Sequence, residues 1–235
     1  MLRKIYDLLA SLNLGIWLMV GVMIIMAIGS FLTGEASGIN DVALLLWLRQ
    51  VPFGVSWWLW LVIALLALLV LNTILCSIEV LRLRFGRAKL LHLLAPQAMH
   101  LGFLLVVLAH LLSAQGGSKE GGQVQAGMTV SLPDGTSLRF DRIDGSTGPF
   151  GMATDYHAAI THRTASGTRT AIVSPNHPYF HNGYGLYLKH AELGPTPFGI
   201  VELHREPGAG AALAGALLFT AGNLVLVGIR RGQTS

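Results

Sequence analysis

Charge is what this sequence lacks most. Only 12% of its residues are Asp, Glu, Lys or Arg, where a soluble globular chain carries roughly 25%. That shortage excludes a disordered chain and argues against a cytoplasmic enzyme. Cysteine is almost missing too. Cys76 stands alone, so the chain has no intramolecular disulfide, no C-x-x-C redox pair and no haem-attachment motif of its own. No glycine-rich dinucleotide fingerprint or phosphate-binding loop falls where a strand meets a helix, and no serine sits in a G-x-S-x-G elbow. The net charge of +4 does not indicate nucleic acid, because the basic residues flank long apolar runs, where they act as topology signals.

Apolar residues fill the space, at 52% of 235 positions. Four stretches, Leu14–Thr33, Trp57–Ile78, Gln97–Gln115 and Ala209–Ile229, contain no Asp, Glu, Lys or Arg. Each is near the ~20 residues that cross a bilayer as a helix, and a span must close its own backbone hydrogen bonds. The first stretch is too long for a signal-peptide core and is read as a retained helix. Residues 1–13, 78–96 and 230–235 carry eight basic side chains in 38 positions, against eight in the 116 positions of 34–56 and 116–208. The denser side is cytoplasmic. Both termini are then inside and residues 116–208 outside. Trp47, Trp57, Trp58 and Trp60 mark the outer end of the second span. The short apolar run Val42–Leu48 is expected along the outer interface.

Residues 116–208 read as strands. Pro133-Asp134-Gly135 between Met128–Leu132 and Thr136–Asp144 signals a hairpin, as does Ala165-Ser166-Gly167 between Asp155–Thr164 and Thr168–Ser174. Gly185–Leu193 and Phe198–Arg205 make six strands in all, enough for one small sandwich or open barrel. Gly116–Gly122 reads as a flexible linker. The expected fold is therefore an integral membrane protein of four transmembrane α-helices, with a small extracytoplasmic all-β domain between helices 3 and 4. Its parts are a three-helix membrane domain over 1–115 (helices about 14–33, 57–78 and 97–115), a β-sandwich-like domain over 116–208, and a fourth helix with a short cytoplasmic tail over 209–235.

His100 and His110, both in the third span, are the residues most able to carry chemistry, because an ionisable group in hydrocarbon is costly. Ten residues apart on a helix, they are separated by ~15 Å along the axis and about 80° around it. They cannot take opposite faces of one iron. Each suits a different haem, since neutral imidazole is a good axial ligand. No other span holds a histidine, so two-histidine ligation in the membrane needs a second chain. The alternative is that each imidazole only bonds a neighbouring helix. Outside the membrane stand His157, His162, His177, His181, His190 and His204, of which His177 and His181 read as solvated loop residues. His177 and His181 have metal-site spacing only on a helix, which Pro178 and Gly183 oppose, so no metal site is expected. Cys76 reads as buried and inert. Asn72 and Asn223 are expected to bond between helices, and the small residues of the fourth span to admit a close neighbour.

The order of parts resembles the ResB family, also called CcsB, of System II cytochrome c biogenesis. Local stretches resemble it too: Leu9-Ala10-Ser11-Leu12, Ile28-Gly29-Ser30, Asn72-Thr73-Ile74-Leu75-Cys76, His100-Leu101-Gly102-Phe103, Ile172-Val173-Ser174-Pro175-Asn176-His177-Pro178, Gly183-Tyr184-Gly185-Leu186-Tyr187 and Arg205-Glu206-Pro207-Gly208. The order of these stretches carries the resemblance more than any one of them. It implies a bacterial inner-membrane subunit that pairs with a CcsA/ResC-type protein. The pair would hold haem b transiently within the bilayer and support its delivery to apocytochrome c. His100 matches the family's axial ligand of the third span, the second ligand coming from the partner. His110 has no matching family position. The subunit would be non-catalytic or co-catalytic in a haem-lyase complex. The outer domain departs from the family in being several times shorter, and the tryptophan-rich haem-handling segment is absent, as expected where the partner that carries it is a separate chain. A b-type electron-transfer subunit or a scaffold of a respiratory complex is the competing reading.

Overall fold

The computed structural model describes residues 1–32, 38–39, 42–84, 86, 90–164 and 167–234. Thr33, at the end of the first uncharged stretch, and the turn residues Ala165 and Ser166 lie outside the described residues, as do two of the counted basic residues, Arg87 and Lys89. Two compact units emerge. One holds the described residues up to Gln115 (Val42 and Ala43 apart) and those from Gly208 on; the other is Gly116–Pro207 with Val42 and Ala43.

The helical unit contains α1 (Leu2–Leu9), α2 (Leu12–Leu32), α3 (Leu44–Gln50), α4 (Phe53–Arg84), α5 (Leu90–Gly116) and α6 (Ala209–Thr234). Four of them, α2, α4, α5 and α6, are long and apolar enough to cross a membrane. At 32 residues, α4 runs about 48 Å, beyond a ~30 Å hydrocarbon core. Its last turn carries Arg82 and Arg84.

α1 was not foreseen, and its attachment explains two of the quoted stretches. The carbonyls of Leu9 and Ala10 lie where α1 gives way to α2, beyond the reach of the helical ladder, and that of Ser11 takes the Gly15 amide at 3.3 Å. Asn72 Nδ2 donates to the carbonyls of Leu9 at 2.6 Å and Ser11 at 3.0 Å, and Cys76 Sγ donates to that of Ala10 at 3.0 Å. One turn on, Tyr6 donates its phenol proton to Glu79 Oε2 at 3.0 Å. Asn72, Cys76 and Glu79 recur at helical spacing and share one face of α4. Ser11 Oγ accepts from the Leu14 amide and caps α2. Cys76 is thus half-buried and bonded, where a simply inert burial was expected.

Further along, Gly29 of α2 lies against the Trp58 indole, where a Cβ would overlap the ring. Trp58 belongs to a cluster with Trp47, Leu48, Leu59 and Val62. The run Val42–Leu48 is therefore represented by α3, whose Trp47 and Leu48 are buried in this unit. Asn223 donates to the Phe219 carbonyl of its own helix at 2.9 Å. That corrects the expectation of an interhelical bond; the i−4 carbonyl lies within reach of its short side chain. On α6, Gly215 and Gly222 let the backbone approach Gly102 and Ala95 of α5, so the small residues serve packing within the chain.

Among the described residues the β unit has eight strands: β1 (Ser118–Gln125), β2 (Thr129–Ser131), β3 (Ser137–Thr147), β4 (Ala153–Thr164), β5 (Gly167–Val173), β6 (Tyr179–His181), β7 (Tyr184–Glu192) and β8 (Phe198–Arg205). In chain order they follow α5 and precede α6. Two antiparallel four-stranded sheets form, ordered β1-β8-β7-β6 and β2-β3-β4-β5. Val124, Phe140, Ile160, Val173, Leu186 and Val201 from both sheets meet in one core. This is a β-sandwich. A register shift between Phe140 and Arg142 keeps Leu138, Phe140 and Ile143 inward despite the broken alternation, as a bulge does.

The stretch read as a linker is largely β1, which pairs with β8 from Ser118↔Arg205 to Gln125↔Phe198. Six strands were expected; β1 and β6 are the two missed. The expected turn at Pro133-Asp134-Gly135 is present. Asp134 Oδ1 accepts from the Thr136 amide at 2.9 Å, and Gly135 has φ 84°.

Candidate functional site

α5 carries both membrane histidines. Pro96 within it withholds one amide from the helical ladder. His100 lies one turn further on, half-buried. Its Nδ1 is 2.7 Å from Ser77 Oγ of α4. A serine hydroxyl both donates and accepts, so this bond permits either neutral tautomer. When Nδ1–H donates to Ser77, the Nε2 lone pair is available to a metal, and the bond orients the ring as such partners do at metal-bound histidines.

His110 is constrained further. Its Nδ1 is 2.8 Å from the Val106 carbonyl. A carbonyl only accepts, so Nδ1 carries the proton and, in the neutral ring, Nε2 carries the lone pair. The side chain is exposed on the helical unit. Both imidazoles thus have Nδ1 engaged, and the donor set fits an axial ligand to haem iron at either position. The two were expected on different directions of one helix, and the structure gives them separate partners, Ser77 and Val106.

Gln97 was overlooked in the sequence. It stands three residues before His100, on the same helical face. Its Nε2 is buried and has no hydrogen-bond partner among the described residues. A buried amide donor without an acceptor costs on the order of 1–3 kcal/mol, so an acceptor arriving from a ligand or partner would be stabilising. A glutamine in an otherwise apolar run was the available signal.

Of the two outer histidines read as loop residues, His181 lies on a strand and His177 does not. His157 and His162 are on β4, His181 on β6, His190 on β7 and His204 on β8; His177 bridges Ser174 outside the strands. His162 is 4% exposed. Its Nδ1 is 2.7 Å from the Tyr179 phenol oxygen, and its ring meets that of His181 edge to face. Burial, then the charges of His181 and Arg169, push its pKa below the ordinary imidazole value, against the opposing pull of Asp134. The ring is neutral at pH 7. His204 Nε2 donates to Glu202 at 3.0 Å, beside Lys119 and Lys189.

No family model matches this chain. No curated protein matches it either. Among solved structures it is similar to one named "Cytochrome c Heme Lyase CcmF", with 16% identity and a TM-score of 0.47 over 89% of this chain. The chain spans 39% of that protein's length. The neighbour is named as a haem lyase and not as a ResB-type protein.

Proposed function

We propose that this chain is a membrane subunit of a cytochrome c biogenesis system, holding haem b between its own His100 and an imidazole of a partner protein. The observation that carries this reading is an oriented imidazole inside an apolar helix: Ser77 holds Nδ1 of His100, leaving Nε2 for iron. The orphaned Gln97 amide beside it is suited to a carboxylate such as a haem propionate. His110, with Nε2 fixed as acceptor, offers a second, separate position for the same chemistry.

Bound haem would supply an iron centre whose axial ligand sets its affinity and potential. The chain's part is to present neutral imidazole, fix its rotation and keep water from the helix bundle. The motif order resembling ResB supports a CcsA/ResC-type partner, apocytochrome c as client, and a place in the bacterial inner membrane with both termini inside. The β-sandwich would then face outward and position partner or client.

The test is an absorption spectrum of the purified protein, with and without a co-expressed partner of that type, before and after dithionite. A two-histidine haem signal is expected with the partner. It should fall in His100→Gly, return with added imidazole, and weaken in Gln97→Leu. Transfer of the bound haem to an apocytochrome separates assembly from electron transfer. A complex that forms without haem, in wild type and variant alike, defeats the reading and leaves a docking scaffold.

A further inference from the structure

His162 and His181 reach each other from different sheets. His162 sits on β4 opposite Leu138 of β3 and Arg169 of β5. His181 ends the three-residue β6, paired with Tyr184. Their ring centroids are 4.3 Å apart at 70°. Tyr179, two residues before His181 on the same side of β6, holds His162 Nδ1 at 2.7 Å and stacks nearly parallel to the His181 ring, at 10°. The turn that carries His181 back into β7 is also pinned. Asn182 and Gly183 both have positive φ, at 46° and 80°, the requirement of a tight two-residue hairpin. Asn182 Nδ2 then donates to Asp134 Oδ2 of the β2–β3 turn at 2.9 Å.

We propose that His162 and His181 form a two-imidazole site for a divalent transition-metal ion of the copper or zinc class, with Tyr179 orienting His162. In the Nδ1–H tautomer His162 donates to the phenol oxygen and keeps the Nε2 lone pair for the ion, the arrangement that outer partners impose on ligating histidines. Imidazole nitrogen suits these ions, copper(II) most strongly. With metal–nitrogen distances of ~2.0–2.1 Å, one ion shared at a tetrahedral angle places the ring centroids about 5 Å apart. The pair must open by about 1 Å. The His181 side chain is partly exposed, so a small rotation of its ring supplies that distance while the pinned turn stays in place. No group of three or more His, Cys, Asp and Glu side chains suited to a metal occurs among the described residues, so water or an outside donor completes the coordination. Each ring ligates through an unprotonated ring nitrogen. The bound ion would tie β6 to β4 and so clasp one sheet to the other.

The site is tested on the full chain in nanodiscs, stripped with EDTA and titrated with Cu(II) or Zn(II). One ion per chain is expected, with a two-nitrogen copper signature in electron paramagnetic resonance and a rise in the thermal midpoint of the β unit. His181→Gln and His162→Gln should each remove that stoichiometric site, while His177→Gln and His204→Gln keep it. Tyr179→Phe should weaken it by about tenfold or more. His181 is partly exposed, so His181→Gln remains informative even where His162→Gln perturbs the core. Absence of a one-to-one site in the wild type, or its survival in His181→Gln, overturns the proposal.

Discussion

Glu202 shows how a single side chain can be held ionised by its neighbours. Burial pushes its carboxyl upward, but hydrogen bonds from His204 and Lys119, with the charges of Lys119 and Lys189, outweigh that and lower its pKa. A carboxylate whose folded pKa lies below its unfolded one stabilises the fold above the unfolded value, and the gain is lost as pH falls through the folded value. Its lysine partners are 43% and 54% exposed, so screening limits the effect to about 0.5–1 kcal/mol. Glu202→Gln should therefore lower hydrogen-exchange protection of β8 at pH 7, and the difference should shrink once the pH is brought well below the ordinary carboxylate value of 4.5. An equal deficit at both pH values would mean that lost packing, not charge, is responsible. Residues of this kind are only half legible in a sequence. The intramembrane His100 and His110 stand out because hydrocarbon makes any polar group conspicuous. Gln97 was equally visible and passed over, since an amide has no single expected role. His162 drew no particular expectation, because nothing local to it reveals the Tyr179 and His181 that cover it.

Elements were legible where one local rule dominated. The uncharged runs located α2, α4, α5 and α6, because length and apolarity decide a span. The turn at Asp134-Gly135 located the β2–β3 hairpin. The dipeptide Asn182-Gly183 is an equally strong hairpin signal, and reading it would have found β6. No such signal exists for β1. Its sequence, SKEGGQVQ, buries only Val124 deeply, and its conformation is supplied by β8, which it follows residue for residue. The α5–α6 seam is a matter for the same scale. A Cβ at Gly102 would stand 2.6 Å from the Gly215 carbonyl oxygen and 2.7 Å from the Phe219 nitrogen. Both are backbone atoms, so the helices themselves must part. Gly102→Val should cost about 1–3 kcal/mol and lower the thermal midpoint in detergent. Gly228→Ala, where no atom lies within 4 Å, should be neutral or gain up to about 1 kcal/mol from helix propensity. Equal midpoints for Gly102→Val and wild type would show that the seam does not form.

For the whole molecule, the distribution of arginine and lysine makes a directional prediction. In a Cys76→Ser background, Ser146→Cys in β3 should react with a membrane-impermeant maleimide in intact cells. Arg84→Cys at the end of α4 should react only after permeabilisation. The reverse pattern would invert the topology and put the β-sandwich inside. Composition class, the four long apolar helices, most strand positions and the two histidines of α5 are legible in the chain alone. These rest on interactions between residues close in the chain, or between one residue and its solvent. Folding supplied the rest. It joined Asn72 and Cys76 to the carbonyls of Leu9, Ala10 and Ser11, set Ser77 against His100, closed β1 onto β8 and brought His162 to His181. Each of these unites residues that are far apart in sequence. Their proximity is a product of packing and cross-strand register, which no local pattern encodes.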